Sequence, residues 1–148
     1  MKKIKLPIQD YVFEYQNKDC TNAELKYEFK EISTISFKDD KKIDEKSPCI
    51  FFEINAFNDK KEYELDFSLD MTLESLNKLN NEITLINDKI HFIEFYDDGI
   101  FQDPNVNNTI YTKSNNVYVL KKHNNDFIFK IEFFEINLFI WFNVKFKS

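Results

Sequence analysis

The sequence predicts a mainly β fold of α+β type: about eight or nine antiparallel strands, in a sandwich or a partly closed barrel, packed with one α-helix near residues 72–81. Three observations predict it. Apolar residues alternate with period two through much of the chain, most clearly from Val117 to Phe146. Aromatic residues make up 17% of the chain, and such side chains pack well on a pleated surface. A single segment, after Asp70, carries leucines at helical spacing.

Tyr11, Phe13 and Tyr15 share one face of a first short strand, and the polar stretch from Asn17 to Glu24 reads as a loop. Leu25, Tyr27 and Phe29 alternate with charged residues before Glu31 falls out of phase. Ile35 and Phe37 resume the original side, which predicts a β-bulge or bend near Glu31 to Thr34. Lys38 to Pro48 reads as a charged loop. A hairpin follows, in which Ala56 pairs with Tyr63, Ile54 with Leu65, Phe52 with Phe67 and Ile50 with Leu69 around Asn58-Asp59-Lys60-Lys61.

The helix can be capped by Asp70 or Thr72, with Leu73, Leu76, Leu79 and Ile83 on one stripe and Asn80-Asn81 as its stop. Trp141 is expected beneath it, against Leu76 or Leu79; the alternative is an exposed anchor for a partner protein. Thr84–Ile86 and Ile90–Tyr96 read as strands, and Asp97 to Asn108 as a long loop. In the closing meander Val119 is expected opposite Phe129, across the turn His123-Asn124-Asn125. Phe133 is expected opposite Ile140, with Asn137 left-handed in the loop Glu135–Leu138. A register two residues tighter fits the faces equally well but puts positive φ on the β-branched Ile136.

At 148 residues the chain is expected to form one globular domain, residues 1–148, with a core that needs no staples. Gly99 is the only glycine, so no Gly-rich phosphate loop can be written, and reversals must fall on Asn and Asp. All 20 basic residues are lysine and the net charge is -6; bidentate arginine contacts are missing, and nucleic acid is not expected as a ligand. The start, Met1-Lys-Lys-Ile-Lys-Leu-Pro7, lacks a signal-peptide apolar run, and Lys130, Glu132 and Glu135 interrupt the one aromatic stretch that could suggest a membrane span. The expectation is a cytoplasmic protein with Cys20 and Cys49 as free structural thiols, Cys20 the more exposed.

Catalytic and metal sets are not expected. His91 and Glu94 fall on opposite faces of a strand, and His123 sits in a turn. Asp103-Pro-Asn105-Val-Asn107-Asn108 resembles the start of a calcium loop, but Asn108 replaces its turn glycine and Ser114 its bidentate glutamate; it reads as a solvated Asx-turn loop. No metal and no cofactor are expected. The informative oddity is the outer face of the Ile50–Leu69 hairpin, where Glu53 stands opposite Asp66 with Glu62 and Glu64 nearby. Like charges in that position destabilise a strand pair. Lys26 and Lys30 of a neighbouring strand are one explanation; a basic partner protein is the other.

The expected function is a non-enzymatic protein-binding module, of the kind of an immunity-type inhibitor that neutralises a bacterial toxin. Its candidate contact residues are Phe51, Glu53, Phe57, Glu62, Glu64 and Asp66. The alternatives are a small-ligand-binding β-barrel-like protein with a Phe-lined cavity, and a hydrolase of unfamiliar type using Asp97, Asp98 or Asp103.

Overall fold

The computed structural model describes residues 2–6, 10–58, 61–97, 109–110 and 115–147, with side chains from residue 10 onward except at 109–110. Twelve strands are present: β1 (Lys2–Leu6), β2 (Tyr11–Tyr15), β3 (Lys18–Asp19), β4 (Asn22–Lys38), β5 (Lys41–Asn58), β6 (Lys61–Leu69), β7 (Thr84–Leu85), β8 (Ile90–Asp97), β9 (Thr109–Ile110), β10 (Asn115–His123), β11 (Asp126–Phe133) and β12 (Leu138–Lys145). One helix, α1 (Leu73–Asn77), follows β6. The strands form two antiparallel six-stranded sheets, in the order β1-β4-β5-β6-β8-β9 and β3-β2-β12-β11-β10-β7. The sheets remain separate and unclosed, so the sandwich holds and the barrel does not.

Alternation makes the core. Phe52 and Phe67 stack at 4.6 Å in the first sheet, Phe129 and Phe142 at 5.3 Å in the second, and Phe52 meets Phe129 across the interior at 5.3 Å. Phe52, Phe67, Phe129, Phe133 and Phe142 are all buried, as the period-two pattern requires. At the other end Tyr15 packs edge-on to Phe95 at 5.0 Å. The interior of the sandwich is thus occupied by rings in mutual contact.

The β5–β6 pairs match the sequence reading residue for residue, and the ladder runs on to Asn58↔Lys61, with 59–60 outside the described residues. Val119↔Phe129 and Val117↔Ile131 also hold. The β10–β11 reversal is tighter than expected: a bulge between Lys121 and His123 leaves a two-residue turn, Asn124-Asn125, with Asn125 at positive φ.

The β11–β12 register is the tighter one, with Phe129↔Phe142, Ile131↔Ile140 and Phe133↔Leu138. The objection to it dissolves in the loop. Pairing stops at Phe133, a 3-10 turn spans Phe134–Ile136, and Asn137 alone takes the left-handed conformation at φ 52°. Asn tolerates it; Ile136 is never asked to.

Three further expectations fail. The segment around Asn17–Glu24 contains β3 and the start of β4, joined to β2 by a Gln16-Asn17 turn with both residues at positive φ. Helix α1 is one turn shorter than expected. Thr72 caps it in a reciprocal box with Ser75; Leu76 is buried and Leu73 and Leu79 pack half-buried against the core, whereas Ile83 is largely exposed and falls outside the stripe. Asn77 instead ties the helix end to the second sheet, donating to Asn125 at 2.7 Å and accepting from the Asn125 amide at 2.8 Å.

The largest correction is at Glu31–Pro48. There is neither bulge nor loop: β4 and β5 pair without a break from Asn22↔Phe57 to Lys38↔Lys41, closed by Asp39-Asp40 at positive φ. The lost apolar phase has another cause. Beyond Lys30 and Cys49 the ribbon leaves the sandwich as an arm exposed over most of both faces, with only Ile32 and Ile43 half-buried, so little selects apolar residues on either side.

Candidate acidic site on the first sheet

The outer face of the first sheet is built in cross-strand rows. The antiparallel register sets Lys26, Glu53, Asp66 and Glu94 side by side on β4, β5, β6 and β8. The next row is Glu24, Asn55, Glu64 and Tyr96; beyond it Phe57 stands opposite Glu62. On the other side come Glu28, Phe51, Ser68 and Phe92. Period two alone puts all these residues on one face; the tertiary pairing of β6 with β8 adds Glu94 and Tyr96, which sequence reasoning missed.

One lysine neutralises part of the cluster. Lys26 Nζ lies 3.1 Å from Glu53. Lys30, the other expected neutraliser, pairs with Glu28 at 3.4 Å and sits 4.7 Å above the Phe51 ring. Oxygens of Glu53, Glu64 and Asp66 therefore lie within 4.8 Å of one another, with Lys26 the one cation against them among the described side chains; β1 continues the two rows with Lys3 beside Lys26 and Lys5 beside Glu24. Burial, then the charge of Glu64, pushes the Asp66 carboxyl up to about 8. Glu64 is also raised, chiefly by burial. Asp66 holds a proton near neutrality and shares it with Glu64.

The Tyr96 hydroxyl donates to Glu94, and that hydrogen bond raises the phenol further above its ordinary range. Asp66 Oδ1, Asn55 Oδ1 and Ser68 Oγ are closed off from solvent with no hydrogen-bond partner among the described groups. An acidic face results, suited to a group that brings positive charge. The same three carboxylates are the one group of described residues that could hold a metal ion.

The predicted aromatic rim is divided. Phe51 packs against Phe92 at 5.9 Å at one end, and Phe57 lies at the other, beside Glu62. Both rings are half-buried.

The remaining candidates do not join this site. His91 approaches Asp70 at 3.9 Å, on the edge away from Glu94. His123 is exposed at a turn. Asp97 stands opposite Tyr63 on the inward side and accepts from the Tyr15 hydroxyl at 3.1 Å; burial, then Asp97, pushes that phenol to about 12. Asp98, Asp103, Asn105 and Asn108 lie outside the described residues.

Cys20 is buried, contrary to expectation, and burial followed by the charge of Asp19 raises its thiol to about 11; Cys49 is buried too, and both are free. Trp141 is not beneath the helix. It lies half-buried on the outer face of the second sheet, between Val12 and Lys130, lining a depression of about 120 Å³ with Ile83, Tyr118 and Ile128.

No family model, curated protein or solved structure matches this chain. No helix among the described residues is long and apolar enough to cross a membrane.

Proposed function

We propose that the chain is a non-enzymatic protein-binding module that captures a basic partner on the outer face of its first sheet, in the manner of a cytoplasmic immunity-type inhibitor neutralising a bacterial toxin. The observation that carries this reading is the row Glu53, Asp66 and Glu94 with Glu64 beside it, held together against one lysine, Lys26, among the described side chains. Crowding carboxylates in this way destabilises the free protein, and burial together with the charge of Glu64 raises the pKa of the Asp66 carboxyl. A lysine or arginine side chain of a partner reverses that cost. It donates to Glu64 and Asp66, expels the shared proton and turns repulsion into paired charge. Phe51 with Phe92 at one end and Phe57 at the other supply apolar surface for burial on contact.

The test immobilises the wild-type chain and the E64K/D66K variant and passes lysate of the source organism over both. The reading requires one basic protein retained by the first and lost from the second, with an association rate that falls steeply as salt is added. Equal retention by both chains removes this face from the mechanism.

A further inference from the structure

The β4–β5 arm carries a second interaction surface, independent of the acidic face. Nine residue pairs, from Lys30↔Cys49 to Lys38↔Lys41, extend about 30 Å at the usual rise per strand residue. β1 pairs with β4 only as far as Tyr27, and β6 leaves β5 at Ile50, so no described strand lies against either edge of the arm. Ile35 and Phe37 are 54% and 74% exposed. A two-stranded ribbon with apolar side chains in water is marginal alone; a third strand or more stabilises it.

The two edges differ chemically. On β4, Ile32-Ser33-Thr34-Ile35-Ser36-Phe37 is uncharged, rich in β-branched residues and free of glycine and proline, which is the composition of a strand ready to be paired. On β5 the opposite edge carries Lys41, Lys42, Asp44, Glu45, Lys46 and Pro48, the devices that block edge pairing.

We propose that the β4 edge between Ile32 and Phe37 pairs antiparallel with the same edge of a second copy of this chain, giving a closed dimer. Charge favours a second copy as occupant. The arm from Lys30 to Cys49 holds five lysines and five carboxylates, so it is neutral in a chain of net charge -6, and two copies meet there without the repulsion their acidic faces impose. Twofold pairing sets the uncharged stretch against itself. It also ends the assembly at two, because both outer edges of the resulting four-stranded ribbon are the blocked β5 edge.

Sedimentation equilibrium of the full chain tests this. The wild type is expected to sediment as a dimer that dissociates on dilution, with little dependence on salt. I35K, which puts a charge into the pairing stretch, is expected to be monomeric and to melt where dilute, dissociated wild type melts. So is a variant with residues 31–48 replaced by Asn-Gly. E64K/D66K is expected to remain dimeric, which separates this surface from the acidic one. A wild type that stays monomeric at high micromolar concentration, variants that dimerise as tightly as the wild type, or growth beyond two copies would each overturn the proposal.

Discussion

The two halves of the β4–β5 ladder share one register and differ in everything else. From Asn22 to Phe29, and from Ile50 to Phe57, the ribbon lies on the second sheet, and Leu25, Tyr27, Phe52 and Ile54 are buried. From Lys30 to Cys49 the same hydrogen-bonded ladder continues with no irregularity, yet Ile35 and Phe37 face solvent. Backbone pairing is therefore not what divides core from surface here. Turn chemistry at Asp39-Asp40 and unbroken strand propensity are enough to build the ribbon, whereas burial requires an opposing sheet.

The sharpest way to break this comparison is truncation in each half. Phe52→Ala, in the packed half, is expected to cost about 3–5 kcal/mol through lost burial plus a cavity, and Phe129→Ala across the interior the same. Phe37→Ala, in the arm, is expected to change stability by no more than about 0.5 kcal/mol. Urea denaturation of dilute protein measures all three, and a large cost at Phe37 would mean that the arm is packed within its own chain.

The outer face of the packed half is sharpened by charge. E64K/D66K is expected to slow association with the basic partner by about tenfold or more at low salt. Its melting temperature should hold or rise, because lysines in place of Glu64 and Asp66 pair with Glu53 and Glu94 instead of crowding them. A comparable pair of reversals on the neutral arm, K42E and K46E, should leave the association rate unchanged; stopped-flow rates across ionic strength decide between the two regions.

The sheet around the packed half also carries a pH signature, at Asp66 of β6. The folded Asp66 titrates near 8, above the value of an unfolded aspartate near 4, so between those limits the folded chain holds a proton that the unfolded chain has released. Stability should fall as pH rises through that window and be flat in this respect below it. Asp66→Asn should flatten the slope, and a melting curve series from pH 4 to about 9 reads it directly. Binding of a basic partner should release a proton and tighten toward pH 8.

The smallest expected effect is from cations. Lys26 already occupies Glu53 and Asp66 is protonated, so millimolar calcium is expected to leave the melting temperature unchanged. A clear rise would turn the Glu53, Glu64 and Asp66 group into a metal site.

Much of this molecule was legible in the residues alone. Alternation assigned the inward faces of β2, β5, β6, β11 and β12, because side chains of a half-buried strand have no choice but period two. It set the β5–β6 pairs from Ile50↔Leu69 to Ala56↔Tyr63, and with them the Glu53–Asp66 opposition at the centre of the acidic face. The scarcity of glycine pointed reversals to Asn and Asp in general, as at Asn125 and Asn137, while the turn at Asp39-Asp40 was hidden in a stretch read as a loop.

What alternation could not supply was the relation between elements distant in the chain. That β8 lies against β6, bringing Glu94 and Tyr96 to the site, depends on sheet order, which leaves no local trace. The position of Trp141 depends on which side of the second sheet faces the first. The β11–β12 register turned on whether the loop could move its positive φ from Ile136 to Asn137, a property of four residues acting together. The arm was misread as a charged loop for the same reason. Without an opposing layer a strand is free of the hydrophobic pattern by which strands are recognised, and only the pairing of β4 with β5 reveals it.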